Sequence, residues 1–111
     1  MKKWILIAAL VTLGALSASA GWKVVAEVTA GGDAKELAVN RTIRTVQIEC
    51  TDGTVVVNTV VIREGAAKEP ITVARRFNKG DKQDLDLGRS RNVTGLRISD
   101  SGKGRYKVHA K

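Results

Sequence analysis

KELAVNRTIRTVQIECTDG, residues 35–53, returns in outline as QDLDLGRSRNVTGLRISDSG, residues 83–102. Glu36-Leu37-Ala38-Val39 matches Asp84-Leu85-Asp86-Leu87, and Arg41, Ile43, Val46 and Ile48 match Arg91, Val93, Leu96 and Ile98. The second copy carries two extra residues in its joining turn, and its closing turn is one residue shorter. In each copy the apolar residues fall at period two, the spacing that puts them on one face of a strand. Each copy therefore reads as a strand, a tight turn bearing an arginine, a second strand, and a turn with Asp and Gly. A strand pair with one apolar face cannot bury that face alone. Two equivalent pairs placed face to face, or related by a pseudo-twofold axis, cover each other. Leu37, Val39, Val46 and Ile48 are then expected to meet Leu85, Leu87, Leu96 and Ile98.

The same alternation extends outward from the repeat. WKVVAEV (22–28), TVVVNTVVIREG (54–65), PITVARRF (70–77) and RYKVHAK (105–111) read as further strands, separated by TAGGDA, TDG, NKGDK and DSGKG turns. Pro70 suits the start of a strand. No stretch sustains a helical period; a single turn around GGDAKELAVN, with Asp33 as cap and Glu36 closing a capping box, is the nearest. About eight short strands at roughly ten-residue spacing predict an all-β fold, a single antiparallel β-sandwich of jelly-roll type with a possible pseudo-twofold repeat.

The first 20 residues read as an export signal. Lys2 and Lys3 precede an apolar run from Trp4 to Leu13, and Ala18 and Ala20 stand at the −3 and −1 positions of a cleavage site. The run is short of the roughly 20 residues that span a bilayer. Cleavage after Ala20 leaves residues 21–111 as one domain, periplasmic or secreted, with no transmembrane segment. That domain holds three aromatics, Trp22, Phe77 and Tyr106, so its core must be built mainly from Val, Ile and Leu. Cys50 is the sole cysteine. It falls in phase with Val46 and Ile48, as a small buried residue does; an intermolecular disulfide or a reactive thiol are the alternatives. No intrachain disulfide can form.

Catalytic constellations are absent from the pattern. His109, the only histidine, stands near the chain end in outward phase and reads as solvent-exposed. Asp81, Asp84 and Asp86 do not have the spacing of a calcium loop, and basic neighbours make them part of a solvated ion-pair network. No phosphate loop, dinucleotide fingerprint or cofactor motif occurs. The expectation is a protein that is not an enzyme and carries no cofactor.

Charge is the remaining signal. Residues 21–74 hold six basic and seven acidic side chains, whereas residues 75–111 hold eleven basic and four acidic, net +7. Arg75, Arg76, Lys79, Lys82, Arg89, Arg91, Arg97, Arg105 and Lys107 are candidate anion-binding residues. Their expected partner is an anionic cell-envelope polymer or an acidic protein; nucleic acid is disfavoured by export and by the scarcity of stacking aromatics. A basic face that serves solubility alone is the plain alternative. A second reading takes the neutral, β-prone run TVVVNTVVI as a strand edge that assembles with other chains in the envelope. Arg41 and Arg91 read first as scaffold, each neutralising a nearby carboxylate (Glu36 or Asp33 for Arg41, Asp84 or Asp86 for Arg91).

DLGRSRNVTGLRIS, with RTIRTVQI before it and the terminal GRYKVHA, resembles the YaaI-like group of small secreted bacterial proteins. Gly88 directly after Leu87, and Val93 where isoleucine is usual, depart from that pattern. The resemblance implies export and a β-sandwich. It implies no activity and no functional residues.

Overall fold

A computed structural model describes residues 21–111; the stretch read as an export signal, residues 1–20, lies outside the described residues. These form six strands: β1 (Lys23–Thr29), β2 (Lys35–Asp52), β3 (Thr54–Glu64), β4 (Ala67–Asn78), β5 (Lys82–Gly102) and β6 (Arg105–Ala110). All pair antiparallel in one sheet of order β1-β6-β2-β5-β3-β4. The all-β class is as expected. The two-sheet arrangement of eight strands is corrected to one sheet of six. Segments 35–39 and 42–50 are a single strand, β2, and segments 83–87 and 92–99 are a single strand, β5. The two arginine-bearing turns are bends inside strands.

Geometry requires those bends. A straight strand of β5's length would reach about 70 Å, yet the longest dimension of the domain is 42 Å. Asn40 and Gly88, which follow Val39 and Leu87 in the two copies, both adopt left-handed backbone, with φ of 51° and 87°. Asparagine and glycine are the residues that enter this region at least cost. The β2–β5 register shifts at the same place, between Ala38 and Arg41 and between Ile43 and Thr45. Such bulges re-aim a strand without ending its ladder.

The register shows that the repeat is structural. Thr42 pairs with Asn92, and every pair on one side of them has its mirror on the other. Arg41 opposite Val93 is matched by Arg91 opposite Ile43; Leu37 opposite Leu96 by Leu85 opposite Val46; Lys35 opposite Ile98 by Gln83 opposite Ile48. A pseudo-twofold axis therefore passes between Thr42 and Asn92. The flanking strands obey it too: Val108 of β6 lies beside Ile48 as Val60 of β3 lies beside Ile98. β1 closes the outer side of β6, and β4 that of β3. The repeating unit is thus three strands long, β1–β3 and β4–β6. Each unit gives its third strand to the other, which makes the two halves mutually dependent.

One face of the sheet is apolar and buried. Val46, Ile48, Val55, Val60, Ile62, Leu96, Ile98 and Val108 are all 0% exposed. No helix occurs among the described residues, and within them the sheet itself covers this face. Tyr106 shows that it does. Its backbone pairs with Cys50 at one end of β2, yet its hydroxyl donates to Asp100, which pairs with Val57 on the other side of the bend. The bend in β2 and β5 folds one half over the other, and the core lies between. β3, which contains TVVVNTVVI, runs between β5 and β4 with both its edges paired. The outer edges are β1 and β4.

Candidate functional site

Four of the nine candidate basic residues are engaged within the fold. Arg91 projects from β5 and is 8% exposed. Its guanidinium donates to Glu64 Oε1 (2.9 Å from Nε, 2.7 Å from Nη2) and reaches Glu69 Oε1 at 2.7 Å from Nη1. The hydrogen bond with Glu64, then that with Glu69, holds its pKa above the ordinary arginine value. Arg91 ties the turn between β3 and β4 to β5. Its carboxylate partners are therefore Glu64 and Glu69, and not Asp84 or Asp86. Asp84 accepts from Gln47 Nε2 (2.9 Å), and Asp86 accepts from the Gly88 amide (2.8 Å). Arg97 lies 3.1 Å from Glu36, which Arg63 shares at the same distance. Arg105 lies 3.4 Å from Glu27. Arg75 stacks its guanidinium 4.5 Å over the Phe77 ring and donates to Gln83 Oε1 at 3.0 Å.

Arg76, Lys79, Lys82, Arg89 and Lys107 have no carboxylate within 4 Å among the described residues. They do not gather into one patch. Arg76, Lys79 and Lys82 lie around the turn from β4 into β5. In register, Lys82, Glu49, Lys107 and Glu27 form a row of alternating sign across β5, β2, β6 and β1. Lys107 is thus two strands from Lys82, about 10 Å. Neither lysine comes within 4 Å of the Glu49 carboxylate, which lies 2.9 Å from His109 Nε2. Arg89 stands apart at the bend of β5.

His109 is not solvent-exposed as the sequence suggested. Its side chain is 16% exposed. It packs edge-on against Trp22 at 6.5 Å between ring centroids, and the Lys111 ammonium lies 4.8 Å over the Trp22 ring. Trp22, Val24, Gln47, Glu49, Lys82 and His109 line a shallow depression. A second depression, of about 410 Å³, opens at the pseudo-twofold axis between Asn40, Arg41 and Thr42 on β2 and Asn92, Val93 and Thr94 on β5. No group of three or more His, Cys, Asp or Glu side chains among the described residues is placed to hold a metal ion. No helix among them is long and apolar enough to cross a membrane.

Asp100 is the buried polar residue that the sequence pattern did not disclose. It reads as part of a DSGKG turn, yet its side chain is fully buried. It accepts from Tyr106 Oη, from the Gly31 amide (2.7 Å) and from Lys35 Nζ (3.2 Å). The repeat held the one available clue: Asp100 stands two residues after Ile98 as Cys50 stands two after Ile48, and Cys50 is an inward position, 1% exposed. Cys50 is a free, buried thiol.

Burial first, and the hydrogen bond to Asp100 second, push the Tyr106 phenol well above its ordinary range. An unfolded tyrosine ionises near pH 10. Above that pH the unfolded chain loses a proton that the folded chain keeps, so stability falls as pH rises; below it this contribution is complete. Tyr106 is the only tyrosine, which makes the test direct. Ultraviolet titration of the phenolate should show no ionisation near pH 10, and then a single step coincident with alkaline unfolding. A free-tyrosine titration with the fold intact contradicts the burial.

Comparison with protein-family models, with curated proteins and with solved structures finds no match to this chain.

Proposed function

We propose that this is an exported, non-enzymatic protein that binds an anionic cell-envelope polymer through the basic turn that joins β4 to β5. One observation carries the reading: Arg76, Lys79 and Lys82 lie within seven residues around one turn, and no carboxylate comes within 4 Å of any of them. Paired surface charges have little left to offer a ligand, whereas unpaired ones of one sign raise the local concentration of an opposite polymer. Lys107 is separated from Lys82 by Glu49 and stands outside this group. The Lys2–Ala20 stretch and the likeness to the YaaI-like group support export. Arg91, Arg97 and Arg105 act as scaffold in this reading.

The test is retention on immobilised lipopolysaccharide and on heparin. Wild type should elute at a salt concentration that depends steeply on screening. Arg76→Glu with Lys79→Glu, which leaves the Arg75–Phe77 stack untouched, should elute at clearly lower salt with an unchanged melting temperature. Elution of the double variant with wild type would reject the proposal.

A further inference from the structure

We propose that Arg41 anchors a second recognition site, which takes the paired carboxylates of an acidic peptide turn on another protein. Its twin supplies the reasoning. About the Thr42–Asn92 pair, Arg41 and Arg91 hold equivalent positions. Arg91 is filled by Glu64 and Glu69, the two carboxylates that flank the turn Glu64-Gly65-Ala66-Ala67-Lys68-Glu69. Arg41 occupies the same place relative to the axis, is exposed, and has no carboxylate within 4 Å among the described residues. About the axis Lys23 stands where Glu69 does and the end of β6 where Glu64 does, so Arg41 lacks the two carboxylates, five residues apart on a tight turn, that its twin receives.

The surroundings of Arg41 suit such a guest. The depression it lines measures about 410 Å³ and is otherwise formed by Asn40, Thr42, Asn92, Val93 and Thr94. Thr42 Oγ1 donates to Asn92 Oδ1, which orients the Asn92 amide and ties the two strands together beneath the site. An arginine fork binds a carboxylate through two parallel N–H donors, and the flanking amide and hydroxyl groups can meet the backbone of a turn. This site lies at the bend of the sheet and does not depend on the β4–β5 basic cluster.

The experiment is a nuclear magnetic resonance titration of the purified protein with a cyclic peptide containing Glu-Gly-Ala-Ala-Lys-Glu. The Arg41 Nε–H signal and the backbone amides of residues 41–42 and 92–94 should shift saturably. Arg41→Gln, whose melting temperature should match wild type because the side chain is exposed, should weaken binding at least tenfold. A peptide with both glutamates replaced by glutamine should be inert. Arg76→Glu with Lys79→Glu should bind the peptide as wild type does, which separates this site from the polymer-binding surface. The proposal is overturned by an absence of shifts at these residues, by unchanged affinity in Arg41→Gln, or by equal loss in the Arg76→Glu, Lys79→Glu double variant. Tighter saturation of the same residues by polygalacturonate than by the peptide overturns the assignment to a peptide.

Discussion

Asp100→Ala should unfold at much lower urea than wild type, with a loss of about 2–5 kcal/mol. The Asp100 carboxylate is fully buried and serves three donors from separate parts of the chain: Tyr106 from β6, the Gly31 amide from the β1–β2 loop, and Lys35 from β2. Alanine leaves the Tyr106 hydroxyl and the Gly31 amide without an acceptor, and each such orphan costs about 1–3 kcal/mol. Lys35 adds less, since its side chain is 25% exposed and can turn to water. A domain of this size is stable by only about 5–14 kcal/mol, so the change removes a large share. Tyr106→Phe should be milder, about 1–2 kcal/mol, because Asp100 keeps two of its donors. Urea titration followed by circular dichroism measures both. Stability of Asp100→Ala within about 0.5 kcal/mol of wild type, the usual range for surface changes, would mean that Asp100 does not hold the two halves together.

Ile48→Ala and Ile98→Ala should each cost about 2–5 kcal/mol, and by similar amounts. Both side chains are 0% exposed, so truncation loses the transfer energy of three carbons and leaves a cavity that a twisted sheet cannot readily close. Their similarity is the sharper part of the expectation. Ile48 sits between Gln83 and Val108, and Ile98 between Lys35 and Val60. The pseudo-twofold axis exchanges these environments. A severe effect at one position beside a negligible one at the other would show that the halves carry the core unequally. Since each half lends a strand to the other, neither variant should display a partly folded state in which one half survives; a single cooperative transition is expected at every probe.

The arginines of the two repeat copies show where local reading stops. RTI and RNV look alike, and both lie beside a bend. Arg91 is scaffold because Glu64 and Glu69 arrive from β3 and β4, some twenty-odd residues upstream. Arg41 meets no such pair and stays exposed. The identity of a salt-bridge partner is a property of which strands become neighbours, and a single stretch of sequence does not carry it. Asp100 was hidden for a related reason. In a segment rich in Ser, Gly and Lys an aspartate signals a turn, and only donors brought in by β6, the β1–β2 loop and β2 offset the cost of its burial. The depression around Arg41 likewise draws on residues fifty positions apart.

Alternation of apolar and polar side chains sufficed to determine that this chain is all-β, with Val, Ile and Leu on one face, and to reveal its internal duplication, because side-chain period follows directly from strand geometry. The number of strands was decided by the tertiary structure. Asn40 and Gly88 look locally like the ends of strands, but whether a left-handed residue ends a ladder or bends it depends on the hydrogen bonds that the neighbouring strand offers. Here β2 and β5 offer them to each other on both sides of the bend. The same mutual pairing spreads the basic residues over both halves of the sheet and leaves Arg41 without the carboxylates that its twin receives.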